Sequence, residues 1–298
     1  MVHFIYPYDF TRIAAPWSIG NNVAQELYDQ YGVVQYDWTD TGTIEPGDGD
    51  ILLGHPHPNS GFIFTNSMQQ DGWSKVVAMT PWGGLTSTVK CINKLLPDID
   101  ALALICGPFW ANQIPPSWRH KTTALDMAIK REDYPPIKGV FNSRKSRRIL
   151  YIGCTEPSKG TWALEQLSRR LPYSFAHAGY GQIDGVRSLG YLDFTAPDAL
   201  DVLRQFDFVI CPGTNDANPT VVLEALSWGL IPLATELSGW GEDICVRLPA
   251  TIDGMIETIQ QLQDASEGDL VSLRAKKRSC LDRYNWQRFT SQIENLFQ

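Results

Sequence analysis

Long apolar runs, paired cysteines and an excess of positive charge are all missing from this sequence. No stretch reaches the eighteen or more consecutive apolar residues that read as a membrane-spanning helix. The start, MVHFIYPYDF, enters an apolar run with neither a basic segment nor a small-residue cleavage site, so no secretory leader is expected and a cytoplasmic setting is. A formal charge of −8 argues against a nucleic-acid binder, whose domains are usually basic. The six cysteines, Cys91, Cys106, Cys154, Cys211, Cys245 and Cys280, form no Cys-x-x-Cys pair and have no histidines near them at zinc-finger spacing. They read as structural thiols, not as disulfides or metal ligands. Repeats of fixed period and low-complexity tracts are absent too.

What the sequence does have is enough apolar material for two ordinary domains: 298 residues, 43% apolar and 11% aromatic. Strand-like runs at 3–8, 33–38, 50–55, 75–80 and 101–106 alternate with helical patterns at 22–31 and 85–96. A second series of runs, RRILYIG, YSFAHAG, VRSLGYL, FDFVICP, IPLATE and ICVRLP, alternates with helical patterns at 161–171, 197–205, 219–228 and 252–263. Strand and helix in alternation predict an α/β protein of two doubly wound parallel sheets, with a cleft between them at the carboxyl ends of the strands. The Pro-, Gly- and charge-rich KREDYPPIKGVFNSRKSRR reads as the connection. The expected division is residues 1–143, 144–285, and a terminal helix over 286–298 whose stripe of Trp286, Phe289, Ile293 and Phe297 could pack back on the first domain.

The most informative stretch is FDFVICPGTNDANPTVVLEALSWGLIPLATE. It reads as a buried strand, a small polar loop, a helix with Asn218 as N-cap and Pro219 at its first position, and a stop at Gly229 before the next strand. A polar loop feeding a helix N-terminus offers free N–H groups and the positive end of the helix dipole, which suits a phosphate-bearing ligand.

Residues Asn218, Pro219, Thr220, Val221 and Glu224 of this stretch resemble the signature of the retaining group 1 glycosyltransferases, with Asp216 in place of that family's first glutamate. YIGCTEPSKG is similar to the same family's phosphate motif at Gly153, Lys159 and Gly160, with Cys154 where the family has arginine. The resemblance spans Arg147 to about Leu248 and is weaker elsewhere. It implies a GT-B-like pair of Rossmann-like domains and the transfer of a sugar, with retention, from a nucleotide-diphosphate sugar. That the reaction needs no metal is expected separately, since Lys159 and the helix N-terminus are read as meeting the diphosphate charge and no aspartate–X–aspartate cluster is read as available for a divalent ion. The acceptor would be an unknown glycan, lipid or small molecule. The nucleotide-sugar is then a substrate, and no cofactor, nucleic acid or transmembrane segment is implied. Two alternatives stay open: a nucleotide-sugar epimerase of the same fold, and a nucleotide-sugar binder with little turnover, since Cys154 brings no charge.

Individual residues can be weighed beside the resemblance. Thr220, Glu224 and Ser227 share one helical stripe, either a solvated face or a polar lining reaching a ribose. Asp216 suits a turn, or accepts hydrogen bonds from sugar hydroxyls. Lys159 is a helix-end lysine, or the charge that stabilises a leaving diphosphate. Arg144, Lys145, Arg147 and Arg148 read as a solvated linker face, with peripheral membrane contact as the lesser reading. His55 ends a strand that begins at Asp50, and the resemblance places such a histidine near the reacting sugar. With His57 it could start a metal site, but no third ligand is apparent and no metal is expected. Gly20 could allow close backbone approach to a phosphate. Trp17, Trp82 and Trp110 could stack on a sugar, though core packing is the default for tryptophan.

Overall fold

The computed structural model describes residues 1–7, 18–57 and 62–298. It divides into two compact units, Met1–Ile129 with Asn285–Gln298, and Lys130–Tyr284.

The first unit is built on β1 (Val2–Ile5), β2 (Val33–Tyr36), β3 (Ile51–Gly54), β4 (Lys75–Pro81), β5 (Ala101–Ile105) and β6 (Thr122–Leu125). All pair in parallel, in the order β2-β1-β3-β4-β5-β6. Every residue of β1, β3 and β5 is buried, which is why β3 and β5 read as unbroken apolar runs and β1 is interrupted only by His3. The edge strand β6, Thr-Thr-Ala-Leu, is half-buried and has no apolar run to announce it. The helices among the described residues are α1 (Ile19–Tyr31), α2 (Ile63–Ser67), α3 (Thr86–Leu95) and α4 (Gly107–Ala111).

The second unit holds β7 (Ile149–Ile152), β8 (Phe175–Ala178), β9 (Arg187–Gly190), β10 (Phe208–Cys211), β11 (Ile231–Thr235) and β12 (Val246–Leu248), in the order β12-β11-β10-β7-β8-β9. These strands also pair in parallel throughout. Its helices are α5 (Thr161–Arg170), α6 (Pro197–Leu203), α7 (Val221–Trp228), α8 (Ile252–Asp264) and α9 (Glu267–Arg278). Ile149, Leu164, Leu167, Phe208, Ile210, Leu233, Met255 and Ile259 belong to one buried core that joins this sheet to its helices. The last helix, α10 (Trp286–Glu294), returns to the first unit, where it packs on α1 and Phe297 meets Tyr31 edge-on at 5.3 Å.

Three local expectations are corrected. The helix over 219–228 starts at Val221 with Thr220 in the cap position, not at Pro219 with Asn218 as N-cap. Asn218 instead adopts a left-handed conformation (φ 59°), which asparagine tolerates better than most residues, and is buried. Arg147 is not on a solvated face: it is 1% exposed. Its guanidinium donates to the carbonyls of Leu262, Gln263 and Ala265, the open C-terminal groups of α8, and to that of Asn142. The segment 130–148, read as a connection, is packed into the second unit. Lys138 Nζ lies 3.0 Å from the fully buried Asp207, and Asp207 also accepts from the N–H groups of Asn142 and Arg148. Such a carboxylate is tolerated in the interior because its lone pairs are satisfied.

Candidate functional site

In the second unit the chain runs outward in opposite directions from β7 and β10, which lie side by side at the centre of the sheet. In open parallel sheets ligands bind outside the carboxyl ends of the strands at such a reversal. Two loops leave the sheet here, residues 153–160 after β7 and 212–220 after β10. They are joined closely: Thr214 N–H donates to the Ser158 carbonyl at 2.9 Å. Gly160, with φ at +69°, has its missing Cβ position only 2.0 Å from the Pro212 carbonyl oxygen. Only glycine fits that contact.

Across this junction Lys159 Nζ meets Asp216 Oδ1 at 2.8 Å, both side chains part-buried. Burial pulls the Lys159 pKa down, but the Asp216 carboxylate outweighs it and holds the ammonium above its ordinary value. The Asn218 N–H is used within the protein, donating to Ser238 at 2.9 Å and to Asp216 at 3.1 Å. Pro219 has no N–H, so the amides of Thr220 and Val221 are the ones that can serve an anion at the start of α7. Gly153 follows β7, its N–H bonded to Ala178. Cys154 is half-buried, and the Tyr151 hydroxyl donates to its carbonyl.

Glu224 is 7% exposed, so the solvated-face reading of its stripe is set aside. Tyr134 Oη donates to Glu224 Oε1 at 3.4 Å, and Ser227 Oγ donates to the Tyr134 carbonyl at 2.8 Å. Burial raises the Glu224 carboxyl to about 7, although bonds from Thr220 and Tyr134 oppose the rise. Lys159, Asp216 and Glu224 all act electrostatically on Cys211, at the end of β10. That thiol is pushed up, first by burial and then by Asp216, and is inert. Three of the expected site residues therefore gather at one end of one sheet. Tyr134 went unnoticed in the sequence, hidden in a Pro-rich polar segment.

His55 and Gly20 belong to the first unit. Gly20 sits in the opening turn of α1, behind Ser18, whose Oγ caps the helix by accepting from Asn21 N–H at 3.2 Å. His55 follows β3, its N–H bonded to Ile5 at 2.8 Å. Its ring packs edge-on to Trp38 and Tyr6, and Nε2 lies 3.2 Å from Thr80 Oγ1. Burial, with a smaller push from His57, lowers its pKa to about 3, so the imidazole is neutral. Asp50 stands at the opposite end of β3, bonded to His3 at 2.9 Å and Gly47 at 2.8 Å, and is not a partner of His55. Trp82 and Trp110 are core residues, 2% and 8% exposed, and Trp17 lies outside the described residues. Asp48-Gly49-Asp50 and Asp98-Ile99-Asp100 have aspartate–X–aspartate spacing, but at the amino ends of β3 and β5. Among the described residues no group of three acidic, histidine or cysteine side chains could hold a metal ion. No helix among them is long and apolar enough to cross a membrane.

No protein-family model and no curated protein matches the sequence. Solved structures do match the fold. A sucrose-phosphate synthase from Thermosynechococcus elongatus superposes with a TM-score of 0.72 at 11% identity, over 99% of this chain and 98% of that one. An E. coli trehalose-6-phosphate protein bound with UDP-2-fluoro glucose gives 0.69 at 11% identity, over 100% and 99%. The S. aureus TarM mutant in complex with fondaparinux, α-GlcNAc-glycerol and UDP gives 0.63 at 14% identity, over 84% of this chain but only 55% of TarM. The chain thus spans just over half the length of TarM. The architecture is that of the GT-B glycosyltransferases: α/β, two parallel six-stranded sheets with helices.

Proposed function

We propose that the chain is a glycosyltransferase that takes its sugar from a nucleotide-diphosphate sugar held by the second unit. The observation that supports this most is the Lys159–Asp216 pair at the reversal of the β7 and β10 strands, beside the start of α7. On this reading Lys159 and the Thr220 and Val221 amides meet the diphosphate, Glu224 takes the ribose diol, and Asp216 accepts from hydroxyls of the transferred sugar. The bond from the anomeric carbon to the diphosphate oxygen breaks as the acceptor oxygen bonds to that carbon. The electron pair leaves with the nucleoside diphosphate, where Lys159 stabilises the new charge without a divalent ion. The acceptor proton passes to the departing phosphate oxygen, and attack from the same face gives retention. Within the first unit, His55 is proposed as a neutral hydrogen-bonding group for a sugar hydroxyl.

The test is calorimetry with a panel of nucleoside diphosphates and their sugar conjugates, in buffers of different ionisation enthalpy. At least one should bind without added metal. A ribose diol bonds best to an ionised carboxylate, so binding should release protons near pH 7 and tighten as pH rises through that value. Absence of any nucleotide binding, or binding only with manganese or magnesium, would contradict the reading. The charge-free Cys154 favours one second reading, a binder with little turnover. Donor hydrolysis without acceptor separates the two, since a pure binder leaves the donor intact.

A further inference from the structure

A pocket of about 320 Å³ opens within the first unit at the carboxyl ends of β3 and β4. The rings of Trp38, His55 and His57 form part of its lining, together with Thr80 from β4 and Ser87 and Thr88 from the first turn of α3. Among the described residues, none that lines it has a carboxylate, ammonium or guanidinium group.

We propose that this pocket binds a single neutral, hydroxyl-bearing ring, a sugar unit without phosphate or carboxylate. Its volume stands at the lower end of small-molecule sites, which suits one ring rather than a chain of them. A charged ligand would give up hydration here with no opposite charge among the lining residues to replace it. Trp38, with its apolar face and polar edge, suits the mixed surface of a sugar. Hydroxyls at Thr80, Ser87 and Thr88 can each donate and accept. His55 Nε2 lies 3.2 Å from Thr80 Oγ1, so a neutral imidazole and a hydroxyl form one polar corner of the lining, which a ligand hydroxyl can join and an apolar ring cannot.

Calling this ring the acceptor rests on the transferase reading; its binding does not. The experiment is an NMR titration of the full chain with the methyl glycosides of glucose, galactose and mannose, their 6-phosphates, and indole. At least one methyl glycoside should bind by about 50 mM, with its 6-phosphate weaker by about tenfold or more. Thr88→Val, equal in volume but lacking the hydroxyl, should weaken that glycoside by about fivefold or more. A phosphate ester binding as tightly as its parent would overturn the proposal, and so would indole binding alone, or a Thr88→Val protein with unchanged affinity. Nucleoside diphosphate titrated into the same samples keeps the two ideas apart. Glycoside binding without nucleotide binding sinks only the transferase reading, and the reverse sinks only this one.

Discussion

The carboxyl ends of the two sheets are furnished in opposite ways. In the second unit they hold charge: an ammonium and a carboxylate in contact at Lys159 and Asp216, and a buried acid at Glu224. In the first, the pocket at the ends of β3 and β4 is lined among the described residues by rings and hydroxyls, with a neutral His55, while charge stands aside at Asp37 after β2 and Asp126 after β6. On the proposed readings the same parallel-sheet scaffold serves an anion in one unit and an uncharged partner in the other, through residues at the strand ends, in the loops and in the first turns of the helices that follow.

The largest effect should come from the close approach that joins the two charged loops. In Gly160→Ala the new methyl would meet the Pro212 carbonyl from a left-handed backbone position, so one loop must move. We expect a loss of about 3 kcal/mol or more of stability in the second unit, read by urea unfolding, together with loss of nucleotide binding. A wild-type midpoint would show that the junction is looser than described.

The contrast also predicts opposite responses to pH. Glu224 ionises near 4.5 when unfolded but only near 7 when folded, so the folded state binds the extra proton between those values. Stability of the second unit should fall as pH rises through that window, by up to about 3 kcal/mol in all, and Glu224→Gln should remove the fall. His55 works the other way. Unfolded, it protonates below about 6.5; folded, it stays neutral down to about 3. The first unit should therefore lose stability as pH drops below 6.5, with a slope of about 1.4 kcal/mol per pH unit at most, and His55→Gln should flatten it. Protection of β3 and β10 amides against hydrogen exchange reads the units separately. Slopes of the same sign would end the comparison.

Lys159→Ala should weaken nucleoside diphosphate binding by about 1.5–3 kcal/mol, because a hydrogen bond to a charged group is lost and Asp216 is left unpaired beside the phosphates. The smallest expected change is in Asp216→Ala. There the bare nucleoside diphosphate should bind within about 0.5 kcal/mol of wild type, while discrimination between sugar epimers of the donor drops. If the bare nucleotide suffers as much as in Glu224→Ala, the two carboxylates do not divide recognition of the ribose from that of the transferred sugar.

Much of this was legible in the sequence wherever one physical signal dominated. Strands β7, β10 and β11 of the second unit announce themselves as short, buried apolar runs set off by Gly, Pro or charge, whereas β9, Arg-Ser-Leu-Gly, is mostly exposed and shows only through its place in the alternation with helices. The strand β6 was not legible because an edge strand of threonines buries too little. Helix α9 went unseen because only Leu270 and Lys277 are buried along it, although Ser266 and Asp269 form a capping box that could have marked its start. The start of α7 was misjudged because Asn218 and Pro219 are good cap residues, yet Asn218 turns left-handed to reach Ser238, a contact made by a later part of the chain. Arg147 was hidden by its neighbours, since nothing local separates the one buried arginine of a basic run from the exposed ones.

The return of α10 to α1 has a consequence for synthesis. The second unit is one continuous stretch, and it can close once Tyr284 has left the ribosome. The first unit precedes it in the sequence but lacks the cover of Trp286, Phe289 and Ile293, all buried, until residues 285–298 emerge. Domains usually mature in the order in which they are made. Here the order is inverted: the unit translated first is completed last, and during that interval the face of α1 that receives α10 is open to chaperones and to other nascent chains.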